Sequence, residues 1–392
     1  MSDPTVLIIS LSTIVRDPRV LRQISVLSED YEVHTAGYGP VPEGVHSHLQ
    51  IPDELRKWRE NYRVFYALSA TRRFRRLYYG APWVRFVREH ISPGSFDVVL
   101  ANDASAVPVA LALEPRSGVH VDMHEYATRQ GEGNRTWERF TQPVVRWIVS
   151  TQLPLVDSVT TVSSGLAEEY LREFGVRAEV VPNAARYRPE YSVRPTSSEE
   201  PVRLVHTGAA GRGRRIEDMV RAVAEVNEQC PGAFVFDLYL IAGDSAYIEE
   251  LRSLADELGG GMISIEDPVD YDRIVPTLTQ YDVGMFVCPP TTFNLRHALP
   301  NKLFEYVQAR LAVLIGPSED MRRYTEKYGF GIVSENFTVQ AQVEALRELT
   351  PARIDEMKHR AHDAARELDS AKLSDAWRAA VAAIVKHYGL GT

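Results

Sequence analysis

The chain has 392 residues, a formal net charge of -9 and a composition with 44% hydrophobic residues. Single cores rarely grow past about 250–300 residues, so two domains are expected. The acidic balance argues against generic nucleic-acid binding, and the two cysteines, Cys230 and Cys288, both in apolar surroundings, read as small core residues rather than a disulfide or metal pair.

The first apolar run begins at Val6, lacks a basic leader and is broken by Ser10 and Ser12, so no signal peptide is expected. No run reaches the roughly 20 apolar residues of a membrane span. A cytoplasmic chain is expected. Residues 5–9 have the pattern of a buried strand. A polar loop with Ser10, Ser12, Thr13 and Arg16 follows, at the strand end where open α/β sheets bind ligands. Asp17 suits an N-cap and Pro18 a first helical position, with Val20, Leu21, Ile24 and Leu27 on one helix face. Residues 31–36 predict the next strand and open a doubly wound sheet.

Residues 56–90 differ in character, with ten Lys/Arg against Glu60 and Glu89. Trp58, Tyr62, Phe65 and Tyr66 fall at helical spacing, and Arg72, Arg73, Arg75 and Arg76 follow. Two readings stand here. Either the aromatics are core and the arginines a solvated rim, or the stretch touches anionic lipid. No nucleic-acid motif accompanies it.

Residues 96–101 predict a strand ending in Asn102-Asp103, and residues 119–123 another ending in His124-Glu125-Tyr126. His124 and Glu125 therefore stand at a strand's C-terminal edge, the address of a ligand crevice. Residues 127–142 read as a mobile loop and 143–155 as a helix. Residues 158–163 form a strand, with Ser163 or Ser164 capping a helix through Phe174. Residues 178–183 close the first half. The segment 186–201, with Pro189, Pro195 and Pro201, is the clearest linker.

A second half then restarts with a strand at 202–208 and the loop Gly208-Ala-Ala-Gly-Arg-Gly-Arg-Arg215 before a helix with Met219, Val220, Val223 and Val226. Glycines let backbone approach a diphosphate, and arginine forks match phosphate oxygens. The spacing is not the dinucleotide fingerprint. Strands are predicted at 234–243 and 262–265, the second running into Glu266-Asp-Pro-Val269. Helices are predicted at 247–258, 273–278, 352–368 and 371–388, and a late strand at 331–333. Between the strand-like run Val283–Pro289 and the run 312–316 lies Ala298-Leu-Pro-Asn-Lys-Leu-Phe-Glu-Tyr306. It is a strand-to-helix junction. Pro300 suits the helix entry, and the amides of Asn301, Lys302 and Leu303 are expected to be free donors, an anion site with a lysine beside it. The plainer reading leaves Lys302 solvated and Glu305 merely favouring the helix dipole.

In combination these segments resemble the GT-B glycosyltransferases, most closely the family 4 retaining enzymes. The matching pieces are Arg16-Asp-Pro-Arg-Val-Leu-Arg22, Val121-Asp-Met-His-Glu-Tyr126, Val162-Ser163, Val181-Pro-Asn183, the Gly208 loop, Leu240-Ile-Ala-Gly243 and Leu299-Pro-Asn-Lys-Leu-Phe-Glu-Tyr306. They run nearly the whole length in the family's order. The resemblance implies an α/β fold of two Rossmann-like domains facing a cleft: residues 1–185 on the acceptor side, a linker at 186–201, a nucleotide-sugar domain at 202–370, and a last helix, 371–392, returning to the first domain.

It also implies roles. Gly208, Arg212 or Arg214, Asn301 and Lys302 would hold the donor diphosphate. Glu305, as the second glutamate of the Glu-x7-Glu motif, would bind the donor ribose, with His297 and Leu299 near the sugar. Pro268 and Val269 fall where the family contacts the base, and His124 matches the histidine beside the donor sugar. Ser12, Thr13, Arg16 and Glu125 lie on the acceptor side. The sequence departs from the pattern twice: His297 stands where the first motif glutamate falls, and Ser12-Thr13-Ile14 replaces the paired glycines after the first strand.

The implied activity is a metal-independent, retaining transfer from a nucleotide-diphosphate sugar, with a UDP-sugar expected ahead of a GDP-sugar and no resident cofactor. The acceptor is a glycan, a lipid-linked intermediate or a small molecule, in bacterial cell-surface or exopolysaccharide assembly at the inner face of the membrane. The rival readings are a nucleotide-sugar epimerase or hydrolase of the same shape, and a non-catalytic nucleotide-sugar-binding subunit.

Overall fold

In a computed structural model that describes residues 4–387, apart from the side chains of Ala242 and Tyr271, thirteen strands form two parallel sheets. Two units result. The first comprises residues 1–182, 292–294 and 373–392, and the second residues 183–291 and 295–372.

In the first unit the strands are β1 (Thr5–Thr13), β2 (Glu32–Tyr38), β3 (Ser47–Gln50), β4 (Val98–Asn102), β5 (Gly118–Met123), β6 (Ser158–Thr161) and β7 (Glu179–Val180), in the order β3-β2-β1-β4-β5-β6-β7. Val6 pairs with Val33 on one side and Val98 on the other, so the winding reverses at β1/β4. That reversal opens a crevice at the strands' C-terminal ends. Both faces of β1 are buried, as a parallel sheet requires. Leu7 and Ile9 pack with Val99, Ala101, Val119 and Val121 on one face. Val6 and Ile8 pack on the other with Val98 and Leu100, under Trp377, Val381, Ile384 and Val385 of the helix Ser370–His387. Tyr388, assigned to that helix from sequence, lies outside the described residues.

In the second unit β8 (Val202–Ala210), β9 (Phe234–Ala242), β10 (Ile263–Glu266), β11 (Val283–Phe286), β12 (Ala312–Ile315) and β13 (Gly331–Val333) take the order β10-β9-β8-β11-β12-β13. The winding reverses at β8/β11. The proline-rich segment 186–201 is fastened along this unit. The buried Lys358 ammonium donates to the Arg194 carbonyl (2.8 Å) and to Asp282 (2.7 Å), and Arg310 donates to the Arg188 carbonyl (2.7 Å).

Several expectations change. β1 runs on to Thr13, so Ser10, Ser12 and Thr13 are strand residues and not a loop, with a 3-10 turn at Ile14–Arg16 after them. Residues 127–142, expected to be a mobile loop, contain a 3-10 turn and the helix Arg135–Phe140, whose cap Asn134 accepts from the Thr136 and Trp137 amides. Ser163 precedes the helix Ser164–Phe174 but its hydroxyl caps nothing. Cys230 is exposed at a helix end, so only Cys288 is a core thiol. The helices Glu319–Tyr328 and Val339–Arg347 have no counterpart in the sequence reading.

Candidate active site

The switch point of the second unit gathers the strongest chemistry. Near the end of β8 stands Gly208, at φ +135°, where a Cβ would come within 2.5 Å of Lys302 Nζ and 3.5 Å of Arg214 Nη1. Only a residue without a side chain admits both cations to this turn. The chain then turns through Arg212–Arg214 and a left-handed Arg215 into the helix Ile216–Gln229. On the neighbouring strand, β11 leads by way of Val287-Cys288 to the helix Asn301–Gln308. Tyr306 fixes that helix. Its ring lies against Gly284 of β11, and its hydroxyl accepts the Thr207 amide at 3.3 Å.

Lys302 is not solvated. It is 6% exposed, its ammonium lies 4.3 Å from the centre of the Phe286 ring, and Nζ has no hydrogen-bond partner. Burial, and then the Arg214 charge, pull its pKa down to about 7, against the opposing charges of Glu305 and Cys288. Glu305 is equally buried, on the same helix. Behind them His206 is fully buried, its Nδ1 donating to the Met285 carbonyl at 2.9 Å. Burial and the Lys302 charge hold its pKa well below the usual histidine value, so it stays neutral.

The expected trio of free amides is reduced by one. The Leu303 amide donates to the Pro300 carbonyl at 3.1 Å, closing the first turn, whereas the Asn301 and Lys302 amides make no hydrogen bond among the described residues. A buried cation with nothing to bond costs several kcal/mol. Set against Gly208, on a helix whose first amides are free, it is built to receive an anion.

The two candidate arginines separate cleanly. Arg214 faces Gly208. Arg212 forks onto Glu250 with two bonds of 2.7 Å, reaches Asp244 at 3.1 Å and covers Tyr247, so its charge is already engaged. His297, at the position of the motif's first glutamate, points its Nδ1 at the buried Asp320 carboxylate, 3.0 Å away. The Leu299 side chain is buried. Pro268, exposed, and Val269, half-buried, follow β10, two strands from β8 at the same edge of the sheet.

The first unit holds a separate polar network at its own switch point. Asp122 on β5 is fully buried. It accepts Arg19 Nε and Nη2, both at 2.6 Å, Gln23 Nε2 at 2.7 Å and the Thr160 hydroxyl at 2.6 Å. Arg19 also donates to the Val181 carbonyl and lies 4.8 Å from the Trp377 ring centre. His124, one-fifth exposed, sits at the mouth of this network. Its Nε2 is 3.1 Å from Asn102 Oδ1 and 3.3 Å from Asp122, and its Nδ1 is 3.5 Å from Asp103. Burial alone would lower its pKa, but the Asp103 and Asp122 charges outweigh it and raise the value. Burial works against the Asp122 charge too, yet the Arg19 and His124 partners hold its pKa well below the carboxylate norm. Asp103 itself adopts φ +64°, uncommon for a non-glycine residue, and receives the His124 amide at 3.0 Å.

The acceptor-side candidates do not form one cluster. Ser12 bonds Ser10, Thr13 accepts from Arg56, and the Arg16 and Glu125 side chains are exposed. Arg19, Gln23 and Asp122 were not singled out from sequence. The signal was present in the i, i+4 pair Arg19/Gln23, which shares a face with Val20, Ile24 and Leu27.

Residues 30–186 match the family Glycosyltransferase Family 4. No curated protein sequence matches the chain. Solved structures match along almost its whole length. Sucrose-phosphate synthase from Thermosynechococcus elongatus is 13% identical with a TM-score of 0.70, covering 97% of this chain and 100% of that one. The α,α-trehalose 6-phosphate synthase from Burkholderia multivorans is 11% identical with a TM-score of 0.69, covering 99% of this chain and 100% of its own. HepE of Anabaena, in complex with UDP-glucose, is 13% identical with a TM-score of 0.68, covering 97% of this chain and 99% of its own. The chain therefore has the GT-B fold of these glycosyltransferases, and its residues 30–186 carry the match to Glycosyltransferase Family 4.

Proposed function

We propose that the chain is a retaining glycosyltransferase that moves a sugar from UDP to a hydroxyl acceptor. The observation that carries the reading is the buried Lys302 ammonium, without a hydrogen-bond partner, facing Gly208 beside Arg214. HepE, of similar fold, is solved with UDP-glucose. The diphosphate would lie over Gly208, with Arg214, Lys302 and the Asn301 and Lys302 amides on its oxygens. The ribose would lie at Glu305 and the base near Pro268 and Val269. As the bond between the sugar's anomeric carbon and the diphosphate oxygen breaks, charge grows on that oxygen. Fixed donors in a dry site stabilise this charge most where it develops. The two side-chain cations supply this without a metal. The acceptor oxygen attacks on the same face, and its proton passes to the leaving phosphate. By the resemblance, His124 would serve the donor sugar, and its carboxylate neighbours favour its protonated form.

The acceptor setting is bacterial cell-surface glycan or exopolysaccharide assembly at the inner face of the membrane, with residues 56–90 as the contact to anionic lipid. No helix among the described residues is long and apolar enough to cross a membrane.

His297 favours a second reading. Its imidazole is directed to Asp320, where the motif's glutamate would serve the donor sugar, as suits a nucleotide-binding subunit without turnover. A thermal-shift panel with UDP, GDP, ADP, CMP and dTDP tests both. A ligand at 100 times its Kd stabilises by about 2.7 kcal/mol. A shift with UDP alone, with UDP released from UDP-sugar in the presence of a polyol acceptor, supports transfer. A shift without turnover supports the subunit. Free sugar released without acceptor indicates a hydrolase. No shift with any nucleotide defeats the donor site.

A further inference from the structure

The first unit carries a basin of about 920 Å³ that the transfer chemistry does not use. Arg72, Arg73, Arg75, Arg76 and Arg88 line it. All five are exposed, and among the described residues none forms an ion pair with a carboxylate. Some exposed arginines elsewhere pair with carboxylates, as Arg116 does with Asp97 and Arg212 with Glu250. The floor is apolar and aromatic: Phe74, Tyr79, Leu111 and Trp147, with Phe74 and Trp147 ring centres 6.3 Å apart. Glu114 is the single carboxylate in the lining.

Five like charges held around one hollow repel one another, and only an anion relieves that. Arg72 sharpens the point. It adopts φ +53°, where glycine would be at ease, yet the position carries a charged side chain. The basin also lies away from His124. The helix Val107–Ala112 returns from the end of β4 toward the start of β5, so Leu111 and Ala112 stand at the N-terminal edge of the sheet. His124 stands at the C-terminal edge.

We propose that this basin is a second binding site, one for clustered phosphate groups. Guanidinium forks match phosphate oxygens two at a time, and the aromatic floor takes the apolar part of the same ligand. The phosphates come from the headgroups of an anionic lipid surface or from a soluble polyphosphate. The lipid source rests on the membrane contact proposed above, whereas the phosphate chemistry does not.

The full chain is tested with two probes. One is phosphatidylcholine vesicles with and without phosphatidylglycerol, read by co-sedimentation at low salt. The other is inorganic tripolyphosphate, read by calorimetry. Arg72→Gly suits its backbone and removes one charge; Arg75→Gln removes another from the same wall. Each is expected to weaken binding about fivefold, as the loss of one surface cation implies, and the double variant about 25-fold if the two add. Arg85→Gln, exposed on the same segment but outside the basin, leaves binding unchanged. UDP binding is unchanged in all four. Response to vesicles only assigns the lipid source. Response to tripolyphosphate only assigns a soluble ligand, and the membrane contact then fails while the site stands. The proposal is overturned if neither probe binds, or if Arg85→Gln weakens binding as much as Arg72→Gly.

Discussion

Lys302 Nζ occupies the space that a side chain at position 208 would need, 2.5 Å from where a Cβ would sit. The two residues are far apart in sequence, one near the end of β8 and the other in the first turn of the helix Asn301–Gln308, so neither explains itself alone. A glycine at φ +135° is tolerated because it lets an ammonium stand over its own backbone.

Gly208→Ala tests this relationship. The added methyl displaces Lys302 and strains the turn by about 1–3 kcal/mol. Urea unfolding is expected to register that loss. Calorimetry is expected to show UDP bound at least about tenfold more weakly, as loss of about 1.4 kcal/mol implies.

Lys302 predicts a pH dependence. Its pKa falls from 10.5 in the unfolded chain to about 7 in the fold, with Arg214, Glu305, Cys288 and His206 around it. Between those values the unfolded chain holds a proton that the folded chain has released, so stability rises with pH through that window. A bound diphosphate favours the ammonium, so UDP affinity falls as pH rises above about 7, by about tenfold per unit at most. In Lys302→Met the apo protein is more stable at pH 7, UDP binding is weaker, and both pH slopes flatten. Melting temperature and Kd measured across pH 6–9 check all three; a Lys302→Met protein less stable than the parent would contradict the assignment.

Arg212 and Arg214 are expected to behave oppositely despite their proximity. Arg214→Gln lowers UDP affinity about tenfold or more, the value of a lost charged hydrogen bond. Arg212→Gln leaves the Kd nearly unchanged, because that guanidinium is committed to Glu250 and Asp244. Parallel titrations of the two variants decide it.

In the first unit, Arg19→Met leaves the Asp122 carboxylate buried with two of its bonds gone, a loss of about 3–5 kcal/mol. Asp122→Asn in the same chain restores part of it. His124→Gln acts differently, slowing transfer by about 100-fold with little loss at neutral pH. The His124 contribution to stability is present below pH 6.5 and fades as pH rises through its raised folded value. Asp122 runs the other way. Its contribution is present above the unfolded carboxylate value of 3.8 and is lost as pH falls through its depressed folded one. Denaturation midpoints against pH separate the two.

The strand-loop-helix course of the second half was legible because short apolar runs alternate with glycine turns, and because Pro300 marks the helix entry. What escaped the sequence was non-local. Lys302 reads equally as an anion-site or a solvated lysine until Gly208 is placed opposite it. Arg19 reads as a polar neighbour of an apolar face until β5 brings Asp122 beneath it. The helix Glu319–Tyr328 was missed because six of its ten residues are charged, leaving Met321 as its one aliphatic anchor in the core. Its Asp320, facing His297, went unseen with it.

Gly208, Arg214, Lys302 and Glu305 all belong to one unit, and the Arg19–Asp122–His124 network belongs wholly to the other. Mutational drift on one side therefore leaves the other's wiring intact. Chimeras that exchange one unit alone must therefore carry residues from 373 onward together with residues 1–182, because Trp377, Val381, Ile384 and Val385 complete the first unit's core.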